Sequence, residues 1–261
     1  MSLTTFSKTY RPFHYPWAME KAVDHEKIHW MEEEIDLSQD VAQWHNGELA
    51  PIQKNHVTQI LRMFTQSDTQ VGQNYCDVFI PIFKNNEVRC MLLAFASREG
   101  IHQRAYSLLN DTLGLPEEEY GAFLEYEEMA EKIEFMADND TSTPEGVARA
   151  LAKTVCSEGM SLFAAFVMLL NYQRTGHMLG MCKITEWSLR DESQHVAGMA
   201  QLFTEYCREN PQVVTDEFKA SVYEMYREAI AAEDKFLDLV YEMGEPENLT
   251  KNEVKQYIRY V

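Results

Sequence analysis

Residues 99–106 read EGIHQRAY and residues 190–195 read RDESQH. Each stretch holds a glutamate followed three residues later by a histidine: Glu99/His102 and Glu192/His195. Three residues apart on an α-helix is one face, so both side chains of a pair reach the same point. A third pair, Glu26/His29, has the same spacing. With 30 glutamates and 8 histidines in 261 residues, about one such pair is expected by chance. Context sorts the three. Glu99/His102 follows the apolar run Met91–Phe95, and Glu192/His195 shares its face with apolar residues. Glu26/His29 sits in the polar stretch VDHEKIHW and reads as the chance pair, in solvent.

Helical periodicity surrounds both remaining pairs. Pro51 opens a helix that runs past Asp68, and Pro81 with Lys84, Asn85 and Asn86 closes it. A second helix spans about 87–113 and ends at Gly114-Leu115-Pro116. Pro116 suits the first turn of an acidic third helix to about Ala137. Thr143, Pro144 and Glu145 start a fourth, to about Gln173. A fifth runs from about Met178 to Arg208, another over about 216–243, and a last one opens with a capping box from Thr250 to Glu253. Strand signals are weak, so an all-α bundle of long helices with short connections is predicted, the architecture that in ferritin-like proteins carries dinuclear metal sites.

Two helices bearing such pairs need one further carboxylate from each of two others to build a dinuclear site. Glu158 interrupts the small, apolar face of Val155, Leu162, Ala165, Phe166 and Leu169, where a lone carboxylate is costly unless paired or metal-bound. Asp68, in FTQSDTQVG, is the candidate on the first long helix; read alone it is equally a solvated side chain. The oxygen and imidazole donors suit iron or manganese and argue against structural zinc or an iron–sulfur cluster. Tyr106 follows His102 by four residues and so lies on the same face, near the metals.

Together these residues resemble the radical-generating small (beta) subunit of class I ribonucleotide reductase. The match runs through EGIHQRAY, SEGMSLFAAF around Glu158, RDESQH, the Asp68 segment and WMEEEID, where Trp30 precedes an acidic run and Asp36. It covers about 30–261, leaving 1–29 as an N-terminal extension of a single domain.

The resemblance implies two iron or two manganese ions per chain, held by Asp68, Glu99, His102, Glu158, Glu192 and His195. With oxygen or a reduced oxygen species they oxidise Tyr106 to a radical. Trp30, Asp191 and His102 match the route that passes the radical equivalent to a cysteine of a separate large subunit, which reduces ribonucleotides. A homodimer and a flavodoxin-like activating protein are further expectations. Such chains continue into a tail that docks on the large subunit and carries a relay tyrosine. This sequence stops at KQYIRYV, so Tyr257 and Tyr260 read as helical and take no such role. Ser188, one turn before Glu192, faces the site where an apolar side chain is expected to shelter a radical. Two other readings exist: a di-metal oxidase of the same bundle acting on an organic substrate through an apolar tunnel, and a ferritin-like metal-storage protein.

The net charge of −19 argues against nucleic-acid or anionic-membrane binding, which needs a basic face. The five cysteines form no CxxC motif and read as free thiols of a reducing cytoplasm. The longest apolar run, Leu162–Leu170, is too short to span a membrane, and no signal-peptide core opens the chain.

Overall fold

Short polar side chains and prolines start the long helices where the sequence places them. Asn85 Oδ1 accepts from the N–H groups of Glu87 and Val88, at 3.0 and 3.2 Å. Thr143 Oγ1 accepts from Gly146 N at 3.0 Å, and Pro144 follows in the first turn. Each satisfies donors that the first helical turn leaves without partners. Gly114, at φ 74°, ends its helix in the left-handed conformation that favours glycine.

The computed structural model describes residues 2–261, the side chain of Thr65 excepted. Its helices are α1 (Pro16–Lys27), α2 (Ser38–His45), α3 (Pro51–Gln73), α4 (Ile80–Ile82), α5 (Asn86–Leu113), α6 (Glu127–Ala137), α7 (Pro144–Cys156), α8 (Leu162–Leu170), α9 (Leu179–Glu209), α10 (Asp216–Val240) and α11 (Lys251–Tyr257). Two π-helical stretches, Asn74–Phe79 and Ser157–Ser161, join α3 to α4 and α7 to α8 without a break. No strand occurs among the described residues. Helices α3, α5, α9 and the α7–α8 run form a four-helix core, with α3 packed on α5, α5 on α9, and α7 on α9.

Two expectations are corrected. The acidic third helix does not begin at Pro116: residues 117–125 form two 3₁₀ turns, and the helix starts at Glu127. Gly121 sits between the turns, and tertiary bonds hold the flanking rings. Tyr120 Oη lies 3.0 Å from Ser107 Oγ, and Arg62 Nη1 donates to Tyr126 Oη at 2.9 Å. Residues 2–29, expected as an N-terminal extension of the single domain, pack against the core. Leu3 is buried, and α1 packs along α5. Second, Leu162–Leu170 belongs to a continuous helical run, Pro144–Thr175, that is long and apolar enough to cross a membrane. Of its most apolar window, 67% is buried inside the bundle, as suits a core helix.

All five cysteines are free; Cys156 and Cys182 are buried and Cys76 is exposed. Helix α2 fixes the start of α9, because Asp40 accepts from Gly180 N at 2.9 Å and Met181 N at 2.7 Å. A side chain at Gly180 would collide with Asp36 O, 2.8 Å from where its Cβ would sit. Between α6 and α10, Lys132 Nζ lies 2.7 Å from Glu233 Oε2 and 4.1 Å from the centre of the Phe236 ring, a buried ion pair capped by an aromatic face.

Candidate metal centre

The core helices bring the six predicted side chains to one place. Asp68 comes from α3, Glu99 and His102 from α5, Glu158 from the π turn after α7, and Glu192 and His195 from α9. All are buried. They form two groups: Asp68, Glu99 and His102 in one, Glu99, Glu158, Glu192 and His195 in the other. Within each group one donor atom per residue lies within 4.8 Å of every other. Glu99 belongs to both. Glu192 also spans them, with Oε1 3.1 Å from His102 Nδ1 and Oε2 3.2 Å from His195 Nδ1.

Both imidazoles turn Nδ1 inward. His195 Nδ1 lies 3.0 Å from Glu99 Oε1 and 3.3 Å from Glu158 Oε2. Several inward atoms make no hydrogen bond: Asp68 Oδ2, both oxygens of Glu99, both of Glu192, and His195 Nδ1. Buried carboxylates without donors are expensive, and a cation among them removes the cost. The donor set is oxygen and imidazole, which fits iron or manganese.

The electrostatics carry the same strain. Burial pushes the Asp68 carboxyl well above the carboxylate range, with Glu99 and Glu192 adding to it against His102. Burial likewise moves Glu158 up to about 8. Burial also opposes ionisation of Glu192, but His195 and His102 outweigh it and bring it to about 2. The two imidazoles are raised by the surrounding carboxylates against their own desolvation.

The outward Nε2 atoms have different partners. His102 Nε2 meets Asp191 Oδ2 at 3.2 Å, and that oxygen also accepts from Trp30 Nε1 at 2.7 Å and Arg98 Nη1 at 2.8 Å. Trp30, Asp191 and His102 are thus contiguous. His195 Nε2 instead lies 3.4 Å from Nε2 of His25, a buried side chain of α1. Burial, with the charges of His195 and Arg98, lowers His25 to about 3, which favours its neutral form. Tyr106 is 1% exposed, and Phe64 stacks on it at 4.7 Å. Burial first and the Asp68 charge second raise its pKa, against the hydroxyls of Ser188 and Thr185 that face it. Ser188 is indeed buried on this side, and its Oγ makes no hydrogen bond of its own geometry.

Three site neighbours escaped the sequence reading: Arg98, His25 and Tyr75. Arg98 had a signal, a lone cation directly before Glu99. His25 lies beside the Glu26/His29 pair, which is exposed as expected. Tyr75 follows Asp68 by seven residues, two turns along the same face. Its Oη lies 3.0 and 2.8 Å from the two Glu158 oxygens.

The profile of the family described as "Ribonucleotide reductase, small chain" matches residues 7–261. A probable ribonucleoside-diphosphate reductase small subunit of Invertebrate iridescent virus 3 is 36% identical over 97% of this chain and 72% of its own length. Two solved structures share the fold at lower identity. The ribonucleotide reductase R2 subunit from Clostridium botulinum has a TM-score of 0.91 at 23% identity, covering 100% of this chain and 84% of that one. The dimanganese(II) protein NrdF of Streptococcus sanguinis has a TM-score of 0.83 at 18% identity, covering 98% and 89%.

Proposed function

Because the chain belongs to the ribonucleotide reductase small-chain family, we propose that Asp68, Glu99, His102, Glu158, Glu192 and His195 hold two metal ions that serve the oxidation of Tyr106. The observation that carries this reading is the sharing of Glu99 between two groups of donor atoms, each of 4.8 Å span or less. One glutamate in two groups is what two adjacent ions require. Bound there, reduced iron or manganese supplies one-electron oxidising power after meeting oxygen or a reduced oxygen species.

The chain's own residues do the rest. Phe64 and the apolar core keep water from Tyr106. Asp191 accepts the outward N–H of His102, which fixes the imidazole with Nδ1 toward the ions. The same carboxylate joins His102 to Trp30, and we assign Trp30, Asp191 and His102 the transfer of the radical equivalent toward the large subunit. A small subunit implies that partner; a homodimer, a flavodoxin-like activating protein and a cytoplasmic setting complete the reading, with residues 1–261 as one domain. The di-metal oxidase with an organic substrate is less well supported. The apolar cavity lined by Met63, Phe64, Ser67, Lys132, Ser161 and Leu162, among others, includes none of the six cluster residues in its lining.

The test is low-temperature electron paramagnetic resonance on apoprotein loaded with Fe(II) or Mn(II) and exposed to oxygen, with and without a flavodoxin-like activator. A tyrosyl doublet that disappears in Tyr106→Phe is expected. Metal-loaded protein that yields no doublet with either metal overturns the radical assignment. Glu158→Ala is expected to abolish uptake of two ions, and retained two-ion binding overturns the ligand assignment. The two metal arms also separate iron from manganese, which accept the same donors.

A further inference from the structure

Glu158 is gripped from outside the cluster by a single phenol. Tyr75 Oη is within hydrogen-bonding distance of both Glu158 oxygens, and both side chains are buried. A phenol has one proton, so it donates to either oxygen or is shared between them. In both cases the carboxylate plane is turned so that Oε2 also faces His195 Nδ1 at 3.3 Å. Glu99 and Glu192 have no such support: none of their four oxygens makes a hydrogen bond.

The phenol is itself held in place. Its ring meets Phe95 at 6.0 Å, Phe79 at 6.1 Å and His195 at 5.9 Å between centroids. Its hydroxyl therefore points at Glu158 by packing, not by chance rotation. A neutral donor fixes a carboxylate's orientation while leaving its charge available to a cation.

Glu158 belongs to only one of the two groups of donor atoms, the one with Glu99, Glu192 and His195. We propose that Tyr75 is a positioning residue that orients Glu158 for this one metal position and sets its affinity, leaving the position of Asp68, Glu99 and His102 to bind independently of it. The inference rests on the two-metal reading above.

The test is a titration of the metal-free full chain with Mn(II), counting free ion by electron paramagnetic resonance. Tyr75→Phe keeps the ring that packs on Phe95 and His195 and removes only the hydroxyl. One ion is expected to bind with unchanged affinity and the other about 10- to 100-fold more weakly, the usual loss when a partner of a ligand is removed. Incorporating 4-aminophenylalanine at position 75 returns a donor to the same place and is expected to recover part of the loss. Two ions bound with wild-type affinities overturn the proposal. So does equal weakening of both ions, which would mark Tyr75 as a packing element alone. Wild-type protein that does not take up two ions removes the two-metal reading and the proposal with it, a failure visible before any variant is made.

Discussion

Trp30 and His102 meet on one atom. The indole N–H donates to Asp191 Oδ2 at 2.7 Å, and His102 Nε2 reaches the same oxygen at 3.2 Å, with the two rings stacked at 6.1 Å between centroids. Arg98 completes the junction: its Nη1 also bonds that oxygen, and its guanidinium reaches the backbone carbonyls of His25 and Ile28. Burial works against the ionised form of Asp191, but His102, Trp30 and Arg98 hold its carboxyl well below the usual range. A carboxylate whose charged form is favoured therefore sits between the imidazole and the indole, and Arg98 ties it to the segment that carries α1 and Trp30.

On the transfer role proposed for Trp30, this junction lets metal binding and radical transfer be tested apart. Trp30→Phe keeps an aromatic ring and removes the donor and the readily oxidised indole. Two-ion uptake and the Tyr106 doublet are expected to persist, while ribonucleotide reduction with the large subunit falls by about tenfold or more. Parallel measurement of doublet yield and turnover checks this. A variant with full turnover removes Trp30 from the route.

His56 gives stability an acid limb that has nothing to do with the metals. It is buried on α3, with Nδ1 3.2 Å from Tyr172 Oη and its ring 5.0 Å from that of Tyr241. Burial lowers its pKa to about 3. Below pH 6.5 the unfolded chain takes up a proton that the folded chain refuses, so stability falls as pH drops from about 6.5 toward about 3, by about 1.4 kcal/mol per unit. His56→Asn lacks this term. The stability difference between wild type and variant is expected to shift by about 2 kcal/mol against wild type from pH 7.5 to 5. Denaturant melts of metal-free protein check it; a constant difference refutes it.

The Lys132–Glu233 pair is a structural element of the fold. Burial raises the Glu233 carboxyl, with Lys132 pulling in the opposite direction. Removing only the cation strands a buried carboxylate. Lys132→Met is expected to destabilise by about 3–5 kcal/mol, and the added change Glu233→Leu to recover most of it. Equilibrium denaturation of the single and double variants reads both numbers.

Gly198 keeps space for a ring that packs against the cluster. A Cβ there would lie 2.8 Å from two Phe95 ring atoms and 3.2 Å from Met91 Sδ. Phe95 cannot step aside, because it packs at 4.4 Å on His195 and at 5.1 Å on His25. Gly198→Ala is expected to destabilise by about 1–3 kcal/mol through overpacking, despite the better helix propensity of alanine. Thermal melts decide the sign.

The long helices were legible because their signals are local. Pro51, Gly114 and Thr143 mark ends by backbone chemistry, and Glu99, His102, Glu158, Glu192 and His195 follow from spacing and apolar context within single helices, whereas Asp68, in a polar stretch, rests on the resemblance. Residues 117–126 were misread for the opposite reason. Their acidic, helix-favouring composition is overridden by Tyr120 and Tyr126, whose hydroxyl partners lie on other helices. Tyr75 shares the Asp68 face, but whether it reaches Glu158 depends on how two helices are set against each other. His25 meets a side chain 170 positions away. Such pairings are properties of the assembled bundle, and no local period encodes them.

The two π-helical stretches carry a consequence for the gene. Tyr75 lies in one and Glu158 in the other, so both ends of their hydrogen bond sit where a wider turn holds an additional residue. A single-codon deletion within 74–79 or 157–161 would leave hydropathy, charge and helix content almost unaltered. It would nonetheless close the wide turn into an ordinary helical turn, leaving the flanking faces nearly in phase while moving the phenol or the carboxylate that the wide turn presents. On the two-metal reading proposed above, a one-residue gap at either place in a related sequence would mark a changed setting of Glu158 that hydropathy and helix content do not reveal.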